Sequence, residues 1–354
     1  MKVLMVEHFL PGSVYTLELC RALRTEEQIT IFCRKGAPRP LEGVQWKDKL
    51  YAGGKGWAEA LMRYGGGLLA LAAEICTGHY DVLHVQGFKD ARYEIPLYCK
   101  LKRHCGILVH TVHNLLPHEA SPRDRRLYGD FYRVCDLLVV HNLYCRQLLM
   151  DEYHLPPEKI CVTPHGSYTQ ISPKEHQLHT EKTEFLQFGV LRRYKGVDIL
   201  LEALARMTET QRSRVHVTVA GQQFPKLDAT DYAALIREKG LEGRVTLQLG
   251  HVPDEALDAL YQEADFCLFP YREIYGSGAL LMAYSYSKPV LASSIPAFEE
   301  ETDGGCTGLL FPPEEPDALK DAILRAADWT EETYTGTQSH IPVSYTHLTL
   351  PTIA

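Results

Sequence analysis

The chain has 354 residues, 45% of them hydrophobic, and a formal net charge of −8 at pH 7. A chain of this length and apolar content can bury two cores of ordinary domain size, so two domains are expected. The acidic balance argues against nucleic acid as a main partner, because phosphate backbones are held by clustered lysine and arginine.

The charge is distributed unevenly along the chain. Residues 1–180 carry a net charge of +3, and the remainder carries −11. Two basic stretches in the first half, KLKRH at 100–104 and PRDRR at 122–126, could rest on an anionic membrane surface. Ordinary solvated helix faces would explain these stretches as well, so both interpretations stay open.

The ten cysteines are scattered, without a CxxC pair or a metal-like His/Cys spacing. We therefore expect neither a structural zinc site nor disulfides, but reduced thiols. The first apolar run is too short for a signal peptide and is interrupted by Glu7 and His8. No segment reaches the roughly 18 apolar residues that a membrane span needs. A cytoplasmic protein is expected, at most peripheral at the inner face of the plasma membrane.

Short apolar runs alternate with helical patterns along most of the chain, which predicts parallel sheets covered on both faces by helices. The polar stretch at 172–184 is interpreted as an interdomain linker. The predicted fold is two Rossmann-like, doubly wound α/β domains at 1–175 and 184–330, facing each other across a cleft that holds the ligand site. The predicted strands are 2–6, 28–33, 81–85, 106–112, 136–141 and 160–164 in the first domain, and 184–189, 215–221, 245–250, 266–270 and 289–293 in the second.

The end of the chain differs from the rest. VSYTHLTLPT, residues 343–352, resembles the translated read-through of a sequencing adaptor. Residues 331–354 are therefore interpreted as a truncated end followed by a foreign tail, and they are excluded from the fold prediction.

The stretch FGVLRRYKGVDILLEAL, residues 188–204, has the pattern of a phosphate site. A predicted strand ends at Gly189, and a short loop with Arg192, Arg193 and Lys195 leads into an amphipathic helix near Gly196. A helix start offers free backbone N–H groups and a positive dipole end, and the three cations stand beside it. The alternative is that these are solvated loop cations.

A second helix start of this kind lies in PYREIYGSGALLMAYSYSKPV, residues 270–290. Ser277, Gly278 and Ala279 open an apolar helix after a strand and loop, and glycine lets a ligand approach the backbone closely. The alternative is a tight turn without a ligand. Two such helix starts in one domain favour a nucleotide diphosphate as the ligand.

The order and spacing of these motifs resemble the retaining glycosyltransferases of family 4, which have the GT-B fold. The resemblance runs from about Lys2 to about Ala327. In the first domain it rests on DVLHV, TVHNLLPHE and TPHG, and in the second on FGVLRRYKGVDILLEAL, VTVAGQ, GHVPDEALDALYQEADFCLFPYRE, SGALLMAYSYSKPVLAS and GGCTGLLFPPEEPDALKDAI.

The resemblance implies a hexosyltransferase that moves a sugar from a UDP- or GDP-sugar to a glycan or lipid-linked acceptor, in cell-surface polysaccharide synthesis. It implies retention of configuration, no metal ion and no other cofactor. Lys195 matches the lysine that neutralises the donor diphosphate. Val190 stands where the family usually has an arginine, so that role would pass to Arg192 or Arg193. The nucleotide is placed by the resemblance at Gly221, His251 and Val252.

The resemblance also assigns residues to the transferred sugar. His113 matches the histidine that is aimed at the donor sugar, and Gly12 matches the glycine loop after the first strand. Many family members carry two glutamates eight positions apart, but the expected positions in this sequence hold Ile274 and Met282. Glu273, which directly precedes Ile274, is the candidate catalytic carboxylate.

Two other classes of protein are alternatives to a glycosyltransferase. A dinucleotide oxidoreductase requires a GxGxxG turn after an early strand, and EHFLPGSVY lacks it. A non-catalytic sugar-nucleotide binder or partner subunit is the alternative that Val190 and Met282 leave open.

Overall fold

A computed structural model gives the fold, and it describes residues 1–10, 13–51, 53, 56–117, 120–163, 165, 171 and 173–345. The chain divides into two compact units between residues 164 and 165. Among the described residues, no helix combines the length and apolar character required to cross a bilayer.

The N-terminal domain is a seven-stranded parallel sheet with the strand order β3-β2-β1-β4-β5-β6-β7. The order reverses direction between β1 and β4, whose Val3 and Val82 are paired. Its elements are β1 Lys2–Glu7, α1 Val14–Leu23, β2 Gln28–Arg34, β3 Gln45–Leu50, α2 Trp57–Gly78, β4 Val82–Val85, α3 Ala91–Leu101, a 3₁₀ turn Lys102–His104, β5 Ile107–Thr111, α4 Pro122–Val134, β6 Leu137–Val140, α5 Leu143–Tyr153, a 3₁₀ turn Pro157–Lys159 and β7 Ile160–Val162.

The C-terminal domain is a six-stranded parallel sheet with the order β10-β9-β8-β11-β12-β13, which reverses between β8 and β11. Apolar clusters on both faces of the sheet form its core. Its elements are β8 Thr183–Phe188, a 3₁₀ turn Arg193–Lys195, α6 Val197–Ala205, α7 Glu209–Arg212, β9 Val215–Gly221, α8 Tyr232–Glu238, β10 Val245–Leu249, α9 Asp254–Glu263, β11 Phe266–Phe269, α10 Gly278–Ser285, β12 Val290–Ser293, α11 Pro296–Glu301, β13 Gly308–Phe311, α12 Pro316–Ala327 and α13 Glu331–Tyr345.

Burial explains why these segments form central strands. All six residues of β1 except Lys2 are buried, and all four residues of β4, β11 and β12 are buried. Strands covered on both faces must be apolar along their whole length, which is the pattern seen in the sequence. Each sheet also reverses its strand order once, between β1 and β4 or between β8 and β11. In α/β proteins, ligands bind beyond the carboxyl ends of the strands at such a reversal.

Two segments that were not predicted to belong to the second domain have defined places in it. Residues 173–182, interpreted as a linker, pack on this domain through hydrogen bonds such as that of the Leu178 amide to Glu331 at 3.1 Å. Residues 331–345 form α13, in which Tyr334 and Ile341 are buried. The Tyr334 hydroxyl donates to the Asp265 carbonyl oxygen at 2.8 Å. The adaptor-like residues 346–352 lie outside the described part of the chain.

Candidate functional site

Three glycines mark the carboxyl ends of β8, β9 and β10. Gly189, Gly221 and Gly250 have φ angles of +130°, +141° and +134°, which side chains rarely adopt. A Cβ on Gly221 would overlap the Gly189 carbonyl oxygen, and a Cβ on Gly189 would overlap the Nζ of Lys195. The two strand ends therefore meet closely, and the glycine after β8 leaves the space in which the Lys195 ammonium lies.

Lys195 is buried at the end of the 3₁₀ turn that follows β8. Gln187 Nε2 donates to the Lys195 carbonyl oxygen at 2.7 Å, and the Lys195 Nζ lies 5.2 Å from the ring centroid of Tyr271. Burial, and secondly the charge of Arg192, lower the pKa of Lys195 to about 8. Among the described residues, no carboxylate lies within 4.0 Å of this ammonium. A ligand anion would therefore stabilise a cation that the domain leaves unpaired.

Arg192 and Arg193 extend this positive region toward solvent. Arg192 is half-buried, and Arg193 is exposed. Within the described ranges neither guanidinium forms an ion pair. Arg192 is the one whose charge lowers the pKa of Lys195, so it lies close to the buried ammonium. This proximity favours Arg192 over Arg193 as the second cation for a diphosphate.

Arg272, in the loop after β11, holds the loop of Lys195 in place. Its Nη1 and Nη2 donate to the two carboxylate oxygens of Asp198 at 3.0 and 2.8 Å. Nη1 also donates to the Arg193 carbonyl oxygen at 2.5 Å, and Nε donates to Glu314 at 2.9 Å. One guanidinium thus joins the loops that follow β8, β11 and β13. The sequence assigns Arg272 no role, because these partners are distant in the chain.

The start of α10 lies after the same loop. Ser277 is its N-cap, and its hydroxyl oxygen accepts a hydrogen bond from the Leu280 amide at 3.2 Å. The Ser277 amide donates to the Glu301 carboxylate at 3.4 Å. The next two amides, of Gly278 and Ala279, have no acceptor among the described residues. Gly278 and Ala279 can therefore offer N–H groups to an anion, whereas the Ser277 hydroxyl caps the helix and its amide already donates to Glu301.

Of the remaining predicted positions of this domain, Glu273, Ile274, His251 and Val252 lie in loops, and Met282 lies in α10. Glu273 is exposed, and no ion pair or hydrogen bond of its carboxylate occurs in the described part of the chain. Ile274 and Met282, the positions where family members carry glutamate, are half-buried against the apolar core. His251 and Val252 follow β10, exposed and half-buried respectively. The core packing gives a physical reason for an apolar side chain at Met282.

His113 follows β5 in the N-terminal domain. Its Nε2 lies 3.2 Å from Gln86 Oε1, and its Nδ1 lies 3.4 Å from Nε2 of His141. The Tyr15 ring meets His113 edge-on at a centroid distance of 5.0 Å. Gln86, His113 and His141 follow β4, β5 and β6 respectively, and Tyr15 lies in the first turn of α1. His113 is therefore held by groups at the carboxyl edge of the sheet. Gly12 lies outside the described residues.

The structure therefore brings Lys195, Arg192 and Tyr271 together with the loop leading to α10 in one domain, and places His113 in the other. Gln86 and His141 were not predicted as partners of His113. Their positions could have indicated this role: Gln86 follows the predicted strand 81–85 and His141 ends the predicted strand 136–141, at the edge of the sheet where ligands bind.

The sequence matches two protein-family models. The model described as Glycosyltransferase Family 4 matches residues 12–170, and the model described as Glycosyl transferases group 1 matches residues 182–328. Together the two matches cover most of the chain.

The chain belongs to glycosyltransferase family 4.

Curated relatives carry the same activity in their names. D-inositol 3-phosphate glycosyltransferase of Corynebacterium aurimucosum is 27% identical over 353 positions, which cover 89% of this chain and 82% of the relative. GDP-mannose:glycolipid 4-beta-D-mannosyltransferase of Xanthomonas campestris pv. campestris is 27% identical over 236 positions, 62% of this chain and 63% of the relative. Both names describe transferring enzymes, which favours an enzyme over the non-catalytic alternative.

Solved structures share the fold. Sucrose-phosphate synthase of Thermosynechococcus elongatus has a TM-score of 0.80 at 17% identity, covering 98% of this chain and 95% of that one. HepE of Anabaena, solved in complex with UDP and glucose, has a TM-score of 0.75 at 16% identity, with coverages of 98% and 95%. The predicted fold class, two Rossmann-like domains of the GT-B type, is confirmed. The chain is a glycosyltransferase.

Proposed function

We propose that this glycosyltransferase transfers a hexose from a UDP- or GDP-sugar with retention of configuration, and that its own cations replace a metal ion at the donor diphosphate. The proposal rests chiefly on the buried ammonium of Lys195, which has no carboxylate partner in the described part of the chain and lies where the strand order reverses. Arg192 or Arg193 supplies a second positive charge, and the amides of Gly278 and Ala279 supply neutral donors.

The chemistry requires stabilisation of negative charge as the sugar leaves the diphosphate. Fixed cations and oriented N–H groups provide this stabilisation because they are already in place and need no reorganisation. Removing one such donor typically lowers kcat by about 10²- to 10³-fold. The leaving phosphate itself helps to remove the acceptor proton, so the protein residues have positioning and electrostatic roles. In this proposal, the Glu273 carboxylate and the backbone of Gly12 face the transferred sugar.

The nucleotide and the sugar are best tested with a panel of donors. We would measure binding of UDP and GDP by calorimetry, then incubate the protein with radiolabelled UDP- and GDP-sugars and an extract of lipid-linked acceptors. Lys195→Ala is expected to weaken nucleotide binding and abolish transfer. The proposal fails if the wild-type protein neither transfers nor hydrolyses any donor while Lys195→Ala still changes nucleotide binding, since the chain would then be a binding protein.

His113 is proposed to contact the donor sugar, and its substitution separates chemistry from nucleotide binding. His113→Ala is expected to lower kcat by about a hundredfold and to leave the dissociation constant of UDP or GDP unchanged, because the proposed nucleotide contacts lie in the other domain. Asn114→Ala, an exposed neighbour, is the matched control. Equal activity of the two variants would remove His113 from the proposed site.

Cell-surface polysaccharide synthesis on a lipid carrier is the proposed setting, with the N-terminal domain resting on anionic lipid at the inner face of the plasma membrane. Two of its basic side chains already have acidic partners, Lys102 with Asp136 at 2.6 Å and Arg125 with Glu152 at 2.5 Å. The helix α2, by contrast, exposes apolar side chains, including Trp57, which is 81% exposed. Retention on anionic liposomes at low salt, and its loss in Trp57→Ala, would support this setting; failure of the wild-type protein to bind would exclude it.

A further inference from the structure

Two histidines of the segment 173–182 converge on one carboxylate of the C-terminal domain. His176 Nε2 lies 2.8 Å from Asp265 Oδ1, and His179 Nδ1 lies 2.9 Å from the same oxygen. The three atoms all lie within 4.8 Å of one another. The pair is spaced His-x₂-His, and the carboxylate follows 86 residues after the second histidine, so only the fold brings the third group to the pair.

Asp265 is fixed before any ligand arrives. Its side chain is fully buried, and its second oxygen accepts a hydrogen bond from the Glu184 amide at 2.8 Å. Its backbone carbonyl accepts from the Tyr334 hydroxyl at 2.8 Å. The carboxylate is therefore oriented by the fold, as a metal ligand must be.

The same three atoms suit a divalent cation of the zinc type. Imidazole nitrogen and carboxylate oxygen are ordinary zinc ligands, and a tetrahedral ion with three protein ligands keeps one position for water. Nitrogen donors disfavour calcium and magnesium, which prefer oxygen. The side chain of His179 is 45% exposed, whereas that of His176 is 10% exposed. An ion could therefore enter from the side of His179.

A cation would also balance charge at this place. With neutral imidazoles, the cluster holds one negative charge in a buried position. A divalent ion would take the place of the two N–H protons that point at Asp265 Oδ1, and each imidazole would stay neutral by carrying its proton on its other ring nitrogen. The site would then hold a net charge of +1, partly exposed at His179.

We propose that His176, His179 and Asp265 form a site for one zinc-type divalent cation, which fastens residues 173–182 to the C-terminal domain. Asp265 precedes β11, so the site lies at the amino edge of the sheet, opposite the carboxyl edge that carries Lys195. Its role is therefore structural, and it is independent of the metal-free transfer proposed above.

The test uses the full, untagged chain, because 16 histidines are already present. Protein treated with EDTA and dialysed is titrated with zinc chloride by calorimetry, and bound metal is counted by mass spectrometry. We expect one zinc per chain and a rise in the unfolding temperature that EDTA reverses. His176→Ala and His179→Ala are each expected to lose about 100-fold or more in zinc affinity, since loss of even an outer partner of a metal ligand costs about 10- to 100-fold.

His216→Ala is the matched control. His216 is hydrogen-bonded to Glu184 at 2.6 Å and to Thr246 at 2.9 Å, but it does not face Asp265 Oδ1. This variant should bind zinc like the wild-type protein. The proposal is overturned if the wild-type chain binds no zinc, or if His179→Ala, whose exposed side chain is the safer substitution for folding, binds zinc as tightly as the control.

Discussion

Replacing Lys195 by methionine is expected to stabilise the free protein while weakening its affinity for the donor. Methionine keeps the length of the side chain and removes the charge. The ammonium is buried beside Arg192 and has no carboxylate partner among the described residues, so its protonated form is unfavourable in the fold. The expected outcome is the opposite of that for most core substitutions, which destabilise.

The magnitude follows from the pKa of Lys195. A decrease from the ordinary value of 10.5 to about 8 corresponds to about 3 kcal/mol of destabilisation by the charged form. Attraction between the ammonium and the face of the Tyr271 ring, at 5.2 Å, offsets about 0.5–2 kcal/mol of this destabilisation. Lys195→Met should therefore raise the free energy of unfolding by about 1–3 kcal/mol at pH 7.

The destabilisation caused by Lys195 depends on pH. Because the pKa in the folded state lies below that in the unfolded state, the destabilisation is complete below about pH 8 and disappears as the pH rises from 8 to 10.5. The advantage of Lys195→Met should thus shrink above pH 8. The wild-type affinity for a nucleotide diphosphate should fall over the same range, because the ammonium loses its proton.

The assay is urea unfolding at pH 7 and pH 10, together with calorimetric titration of UDP and GDP. Binding of whichever nucleotide the wild-type protein prefers should weaken roughly 10- to 100-fold in Lys195→Met, the usual effect of losing a hydrogen bond from a charged group. Lys239→Met, which removes a lysine paired with Glu202 at 2.5 Å, is the control and should lose up to about 1 kcal/mol. A Lys195→Met protein that is less stable than wild type and binds nucleotide normally would refute the reasoning.

Three further outcomes are expected. Arg272→Met should raise the donor KM roughly tenfold without a comparable fall in kcat, because the loop of Lys195 loses its clamp, and Arg272→Lys should restore little since an ammonium lacks the planar fork. Gly221→Ala should lose about 3 kcal/mol or more of unfolding free energy, whereas Gly250→Ala, with a similar φ but open space at its Cβ, should lose only about 1–2 kcal/mol of strain. The buried His84 and His110, whose pKa values burial lowers to about 3 and about 4, should each reduce stability by about 2 kcal/mol as the pH falls from 7 to 5, because only the unfolded state takes up protons there. Calorimetry of the full chain should show the N-terminal domain unfolding at a lower temperature at pH 5, and equal transitions at both pH values would contradict this.

The central strands could be predicted from sequence, but two edge strands could not. β3, QWKDKL, contains three consecutive charged residues and is mostly half-exposed, so it offers no continuous apolar run. β13, GLLF, has four residues and begins with a glycine. Edge strands need less apolar sequence because one side lacks a neighbouring strand, and their pattern is correspondingly weak.

Some residues of the candidate site could likewise be predicted from sequence, and others could not. The cations Arg192, Arg193 and Lys195 were visible because a strand, a glycine and a helix start follow one another within a few residues. The role of Arg272 was not visible, because its partners Asp198 and Glu314 lie 74 and 42 residues away. Contacts of this kind depend on the strand order, which local patterns do not specify.

The long-range contacts also explain how a lysine can remain unpaired in a buried place. Asp198 lies three residues after Lys195, near enough in sequence to offer a local partner. Both of its carboxylate oxygens are instead taken by Arg272, which also binds the Arg193 carbonyl group. The carboxylate that could neutralise Lys195 is thus committed to an arginine that never loses its charge. No carboxylate among the described residues balances the charge of Lys195. Under the proposed function, the donor diphosphate would supply that balance, and the instability of the free site would contribute directly to affinity for the donor.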